Sequence, residues 1–337
     1  KDVWERCGMK IWSSLLVVII LASFAWIGVD FLHLTTLFGI VVPYIAFLIF
    51  LLGFIYRVVN WGKSPVPFCI PTTCGQQQSL PWIKQNKIEN PSTIWGVVGR
   101  MVLEIFLFRS LFRNTKTEKT GNSLAFGSAK WLWFGGLVFH WSMLVVVIRH
   151  LRFFLNPVPG FVQGLEMLDS FLQVGVPLLY ITDILLVLAL TYLFLRRVLI
   201  PQIKYISLAA DYFPLLLLLG VAVTGILMRY FFKVDLLAVK ELTMGLVTFT
   251  PTVSAEIGAI FYMHVILVSS LVAYFPWSKL MHAGGIFMSP TRNLANNSRM
   301  VRHVNPWNYQ VETHSYTEYE DEFRDKMRKV GLPLEKE

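Results

Sequence analysis

Cysteine is scarce in this chain: Cys7, Cys69 and Cys74 are the only three among 337 residues. An odd number with no C-x-x-C spacing excludes a disulfide framework and the common zinc and dithiol motifs. No C-x-x-C-H occurs, so a covalently attached c-type haem is excluded as well. Cys69 and Cys74, five residues apart in FCIPTTC, read as two loop thiols. Charge is also sparse, at 15% of residues, against 55% hydrophobic residues and a mean hydropathy of +0.56. Ordinary soluble domains do not have that balance. No internal repeat of the kind common in transporters is visible, and no nucleotide, molybdenum or iron–sulfur motif is present.

What is abundant is long apolar sequence. Windows of about 20 apolar residues, the length that crosses a hydrocarbon core, recur six times, at 11–29, 36–58, 131–154, 175–195, 212–232 and 256–277. The fold expected is an all-α integral membrane protein, a bundle of about six transmembrane helices. The first segment has basic flanks like a secretory signal. Its apolar run is too long and lacks a small-residue cleavage site, so it is expected to remain as a helix.

The net charge of +9 is unevenly distributed. Lys1, Arg6 and Lys10 precede the first segment, and nine Lys and Arg residues from Lys63 to Lys130 fill the second connection. Arg196, Arg197 and Lys204 fill the fourth, and Arg292, Arg299 and Arg302 open the tail. The first connection has no base, and none lies between Arg152 and Arg196. Basic residues mark the cytoplasmic side, which predicts a multi-pass protein of the cell membrane with both termini inside. The bilayer accounts for the charge, and no nucleic-acid partner is expected. Four regions follow: two N-terminal helices (1–60), a basic cytoplasmic connection with an interfacial helix (61–127), a core domain (128–290) and a cytoplasmic tail (291–337).

Four of the seven histidines lie in or beside two of the long segments. His140 and His150 flank HWSMLVVVIRH; His264 and His282 bracket HVILVSSLVAYFPWSKLMH. An ionisable side chain at bilayer depth costs about 2.5 kcal/mol or more and usually marks function. With both termini inside, the two helices are antiparallel. His150 then shares a depth with His264 near the outer face, and His140 shares one with His282 near the inner face. Each pair suits axial ligation of one iron, giving two non-covalent haems b. Eighteen residues are five turns, so His264 and His282 can share a face; ten residues leave His140 and His150 roughly 80° apart. The axial spans differ, at roughly 27 and 15 Å. Pro276 is expected to disturb the end of the last helix.

These two spacings, in this order and over about residues 128–290, resemble the NarI-like cytochrome b family, the membrane gamma subunits of respiratory nitrate reductase. The extra N-terminal helix, long second connection and charged tail are similar to the DsrM/HmeC-type membrane cytochromes of sulfate-reducer complexes. The resemblance implies a di-haem subunit that exchanges electrons between menaquinol and a cytoplasmic iron–sulfur partner related to heterodisulfide reductase. Sulfite or sulfate respiration, with further membrane or extracytoplasmic redox subunits, would be its setting. Nitrate reductase or heterodisulfide reductase cytochromes are the alternatives within that reading. A histidine-lined transporter and a purely structural anchor are the alternatives outside it.

Quinol oxidation releases protons and requires an acceptor. Asp183, in LLYITDILLVL, is the one carboxylate deep in a predicted helix and is the first choice; Glu166, Asp169 and Glu256 are weaker ones. Arg149, Arg152 and Arg229 cluster on the predicted outer side against the charge trend, and guanidinium groups suit haem propionates. The stretch WGVVGRMVLEIFLFRSLFRN reads as the interfacial helix. The tail, WNYQVETHSYTEYEDEFRDKMRK, reads as a dock for the redox partner, with His303 and His314 as surface residues.

Overall fold

The computed structural model describes residues 2–64, 75–300 and 312–336. Cys69, Cys74, Arg302 and His303 lie outside the described residues. Helices α1 (Asp2–Asp30) and α2 (Val42–Gly62) come first, a π-helical turn at Leu37–Val41 leading into α2. The second connection folds into α3 (Ile94–Leu107), α4 (Arg109–Arg113) and an antiparallel hairpin, β1 (Thr115–Thr120) with β2 (Ser123–Ser128). Then follow α5 (Lys130–His150), α6 (Gly160–Asp169), α7 (Ile181–Leu199), α8 (Pro201–Ile206) and α9 (Ala209–Ile226). Helices α10 (Leu236–Thr248), α11 (Ala259–Tyr274), α12 (His282–Gly285) and α13 (Tyr316–Lys329) complete the chain.

Among the described residues, five stretches are long and apolar enough to cross a bilayer: Gly8–Asp30, Leu37–Gly62, Lys130–Phe153, Ala209–Phe231 and Ala259–Trp277. The sixth expected span is α7. It has 19 residues but carries Asp183, Arg196 and Arg197. It starts at Ile181 rather than near 175, because the apolar residues before it, which include Pro177, are not helical. Helix α7 packs between α5 and α9, α9 against α1 and α11, and α11 against α1 and α2. Small residues set these approaches. A side chain on Gly135 of α5 would meet the Tyr192 ring of α7 at 2.5 Å.

The core is a continuous apolar cluster that includes Phe38, Leu217, Leu242, Tyr262 and Leu267. Apolar residues are also abundant outside. Ile45, Leu48, Leu52, Ile55 and Val59 form an exposed stripe along α2 at three- and four-residue spacing, the face a lipid-embedded helix presents. The chain is an all-α multi-pass integral membrane protein.

The second connection is more ordered than hydropathy suggests. Helix α3 turns Ile94, Trp95, Val98, Val102 and Phe106 outward and buries Arg100 and Glu104. Apolar groups out and charges in is the reverse of a water-soluble helix. The buried charges have partners. Arg100 donates to the carbonyls of Glu89, Arg292 and Leu294, and Arg292 pairs with Glu104 at 2.6 Å. Asn296 bonds Asn90 at 2.6 Å, and Glu89 accepts from Arg109 and Arg113. A polar knot thus joins residues 89–113 to the segment after the last long helix. The hairpin was not legible from hydropathy. Its signal is Gly121-Asn122 between Thr-rich and apolar runs, with Gly121 at φ +63° as a tight two-residue turn demands.

Candidate functional site

The four histidines come from three elements. His140 lies in the middle of α5, His150 at its last turn, His264 in α11, and His282 opens α12. Helix α11 ends at Tyr274, and Phe275–Trp277 continues as a 3-10 turn around Pro276. His264 and His282 therefore do not share one straight helix. The break turns the chain so that His282 comes to His140 while His264 faces His150. Ring centroids are 6.0 Å apart for His140 and His282, with planes at 81°. They are 6.5 Å apart for His150 and His264, with planes at 13°.

These distances have a chemical meaning. A metal–imidazole bond of about 2.0 Å on each side, plus about 1.1 Å from nitrogen to ring centre, puts trans ligands roughly 6 Å apart. The nitrogens are also assigned. Nδ1 of His140 bonds the Gly136 carbonyl at 2.7 Å, Nδ1 of His150 that of Val146 at 2.7 Å, and Nδ1 of His282 that of Lys279 at 2.6 Å. Nδ1 of His264 instead meets the Thr224 hydroxyl on α9 at 2.9 Å. Each ring thus commits Nδ1 to the protein and leaves Nε2 for a ligand, the arrangement metal-binding histidines need. Among the described residues no group of three or more His, Cys, Asp or Glu side chains could cage a metal ion. Two imidazoles at each end, rather than a cage of protein ligands, are a donor set that would suit a haem iron.

The surroundings of the pairs differ. Phe108 and Phe139 stand edge-on to His140, each at 4.8 Å. Phe108 is left-handed, at φ 48° and ψ 47°, in the corner between α3 and α4, a conformation that costs a bulky residue about 1–2 kcal/mol. Two indoles of α5 hold that corner. Trp133 donates to the Leu107 carbonyl at 2.7 Å and Trp141 to that of Phe106 at 3.0 Å.

Beside His150 lies a charged cluster. Arg149 is buried and ion-paired with Asp169 at 3.1 Å and Asp183 at 2.6 Å. Asp169 also accepts from the Thr182 amide and hydroxyl at 2.9 and 2.6 Å, fixing the first turn of α7. Tyr230 donates to Asp183 at 3.2 Å. The Tyr180 ring lies between two guanidinium groups, Arg149 at 3.7 Å and Arg229 at 3.9 Å. Arg152 pairs with Glu166 at 3.0 Å. Among the described residues Arg229 has no ion-pair partner; its contacts are the Leu178 carbonyl, Tyr230 and the ring of Tyr180.

The structure therefore brings Asp183, Arg149, Arg152 and Arg229 to one end, with Glu166 and Asp169 as partners. Asp169, one of the weaker acceptor choices from sequence, is buried. Glu256 is exposed, as is His314. Sequence reasoning missed Tyr180, Thr182, Thr224 and Tyr230, whose only signal is a polar atom inside or beside an apolar run. Helices α6 and α10 flank this end. Thr243 of α10 donates to the Phe153 carbonyl at 2.6 Å, tying α10 to the chain just beyond α5. Asp235 caps α10 through the amides of Ala238 and Leu237, which hold its carboxyl below the usual carboxylate range.

Residues 91–304 match the nitrate reductase gamma subunit family, a stretch that contains all four histidines. An Hdr-like menaquinol oxidoreductase cytochrome b-like subunit of Archaeoglobus fulgidus is 50% identical over 278 residues, covering 80% of this chain and 83% of that protein. A protein of the same description from Archaeoglobus profundus is 44% identical over 274 residues, covering 79% and 81%. Fold, histidine order and similarity agree: the chain belongs to the nitrate reductase gamma subunit, or NarI-like, family of membrane cytochromes b.

Proposed function

We propose that this chain is a di-haem cytochrome b subunit that oxidises menaquinol near the outer face of the membrane. It delivers the electrons to a cytoplasmic iron–sulfur subunit related to heterodisulfide reductase, in sulfite or sulfate respiration. The observation that carries the reading is the pair of neighbouring imidazoles at each end of the bundle, with ring centroids 6.0 and 6.5 Å apart, which would let each pair hold one haem. The description of the Archaeoglobus relatives supports menaquinol as donor and an Hdr-like assembly as the setting.

His150 with His264 and His140 with His282 would hold the two haems through Nε2. When bound, these groups supply one-electron carriers towards the two faces of the membrane. The protein's own task is to orient the rings and to handle protons. Menaquinol gives up two protons and two electrons as it becomes menaquinone, and Asp183 takes a proton from a quinol hydroxyl. Arg149 allows this because it faces two carboxylates. When Asp183 is protonated, Asp169 still neutralises the buried guanidinium, so no bare cation is left. Tyr230 keeps a hydrogen bond on the carboxyl in either state. Of the three arginines expected to meet propionates, Arg149 and Arg152 are occupied by carboxylates of this chain. Arg229 is the one placed to receive an added anion.

The test is reduction of the purified haem-loaded protein by a soluble menaquinol analogue, followed in the haem absorption bands. The unsubstituted protein should be reduced rapidly. Asp183→Asn should slow the reaction by about 10²-fold or more, the scale of general-base catalysis, while keeping both haems. An unchanged rate would remove Asp183 from the reaction.

A further inference from the structure

Three of the four candidate ligands are oriented by their own chain: His140, His150 and His282 each bond a carbonyl three or four residues before them. His264 is the exception. Its Nδ1 reaches across to α9 and meets the Thr224 hydroxyl at 2.9 Å. Thr224 is itself buried, and its hydroxyl lies 2.8 Å from the Gly220 carbonyl and 3.0 Å from that of Val221. The Val221 carbonyl also acts on this ring, and a haem iron would fix the direction of the bond to Thr224. A metal on Nε2 requires the proton on Nδ1, so the imidazole donates to the hydroxyl oxygen, and the hydroxyl hydrogen goes to a carbonyl of α9. The next residue is Gly225, where an added Cβ would stand 3.4 Å from Cε1 of His264. Thr224 and Gly225 together form the seat of that ring.

We infer that Thr224 is a positioning residue that sets the orientation and donor strength of His264, and through them the reduction potential of the outer haem alone. The inference rests on the di-haem reading. Its physical basis is polarisation along the chain of bonds. An acceptor on Nδ1–H gives the imidazole partial anionic character, which favours oxidised iron; losing the acceptor favours reduced iron. A hydroxyl that is already donating is the stronger acceptor for it. Among the described residues His140 and His282 bond carbonyls of their own segments instead, so the potential of a haem between them should not depend on Thr224.

The experiment is a spectroelectrochemical titration of the intact haem-loaded protein in detergent, with haem quantified per chain, for the unsubstituted form, Thr224→Val and Thr224→Ser. Valine keeps the shape and removes the hydroxyl; serine keeps the hydroxyl. The haem that disappears in His264→Ala identifies the outer one. The result expected is a higher midpoint potential for that haem in Thr224→Val, an unmoved inner haem, and return towards the original value in Thr224→Ser. Loss of the outer haem in Thr224→Val with retention in Thr224→Ser supports the same role. Unmoved potentials, an equal shift of both haems, or identical behaviour of valine and serine would overturn it. A protein without haem before substitution would defeat the di-haem reading itself, which keeps the two failures apart.

Discussion

The two ends of the bundle are built from the same pair of imidazoles but from different materials. At the His150–His264 end both residues ride on long helices, the rings are nearly parallel at 13°, and the neighbours are carboxylates, guanidiniums and phenols. At the His140–His282 end one histidine follows a helix break, the rings are nearly perpendicular at 81°, and the neighbours are phenylalanines. Beyond those phenylalanines comes the polar knot that ties residues 89–113 to Arg292, Leu294 and Asn296. One end surrounds its imidazoles with ionisable side chains. The other sets aromatic rings against His140 and leads into an ordered platform. On the proposed function this is the division expected between a quinol site and an electron outlet.

The comparison breaks most severely at Arg149. It is 6% exposed and serves two carboxylates, so Arg149→Met leaves buried charge unpaired, at a cost of about 3–5 kcal/mol. Arg152→Ala, at a half-exposed pair with Glu166, should cost no more than about 1 kcal/mol. Thermal unfolding in detergent distinguishes them. Similar losses would mean that the cluster is not the structural centre of its end.

Phe108→Gly sharpens the contrast from the other side. Glycine adopts φ 48° without strain, returning about 1 kcal/mol, while the ring against His140 is lost. Net stability should change little, yet the inner haem should be the one released on repeated gel filtration, with the outer haem retained. Equal retention of both would show that Phe108 has no part in the inner site.

The smallest effect belongs to the tail. In α13 the buried Glu320 accepts from the amides of Glu335 and Lys336 and lies near Arg324. The Glu335 amide first, then that of Lys336 and the charge of Arg324, hold its carboxyl below the usual range. A carboxylate with a depressed folded pKa stabilises above its unfolded pKa, and that contribution is lost as pH falls through the folded value. The amide of Lys336 should therefore lose exchange protection at acid pH ahead of the bundle helices. In Glu320→Gln that protection should be weak at every pH.

Much of this was legible in the residues, and for a physical reason. A helix in lipid has to be long and apolar throughout, so five of the six expected segments stand as candidate spans, α7 with its three charges being the exception, and Pro276 marks where the last one turns. Histidines at bilayer depth are conspicuous because they are expensive. The rest depended on tertiary contacts. Helices α6 and α10 are short and of mixed composition, and the hairpin carries only a turn signal. Asp169 looked like a loop acid because nothing local says that Arg149 will reach it. Thr224 sits in LLLLLGVAVTGILM without any pattern that points to His264 forty residues later. Hydropathy identifies spans; it does not say which polar atoms meet between them.

The proposed function requires that each end of the bundle hold its own haem. Its most direct test is the reduced-minus-oxidised spectrum of the detergent-purified protein, with haem quantified per chain, before and after His264→Ala. Two b-type haems per chain are expected, falling to one in the variant. A folded but colourless protein would contradict it, and so would a variant that keeps both haems.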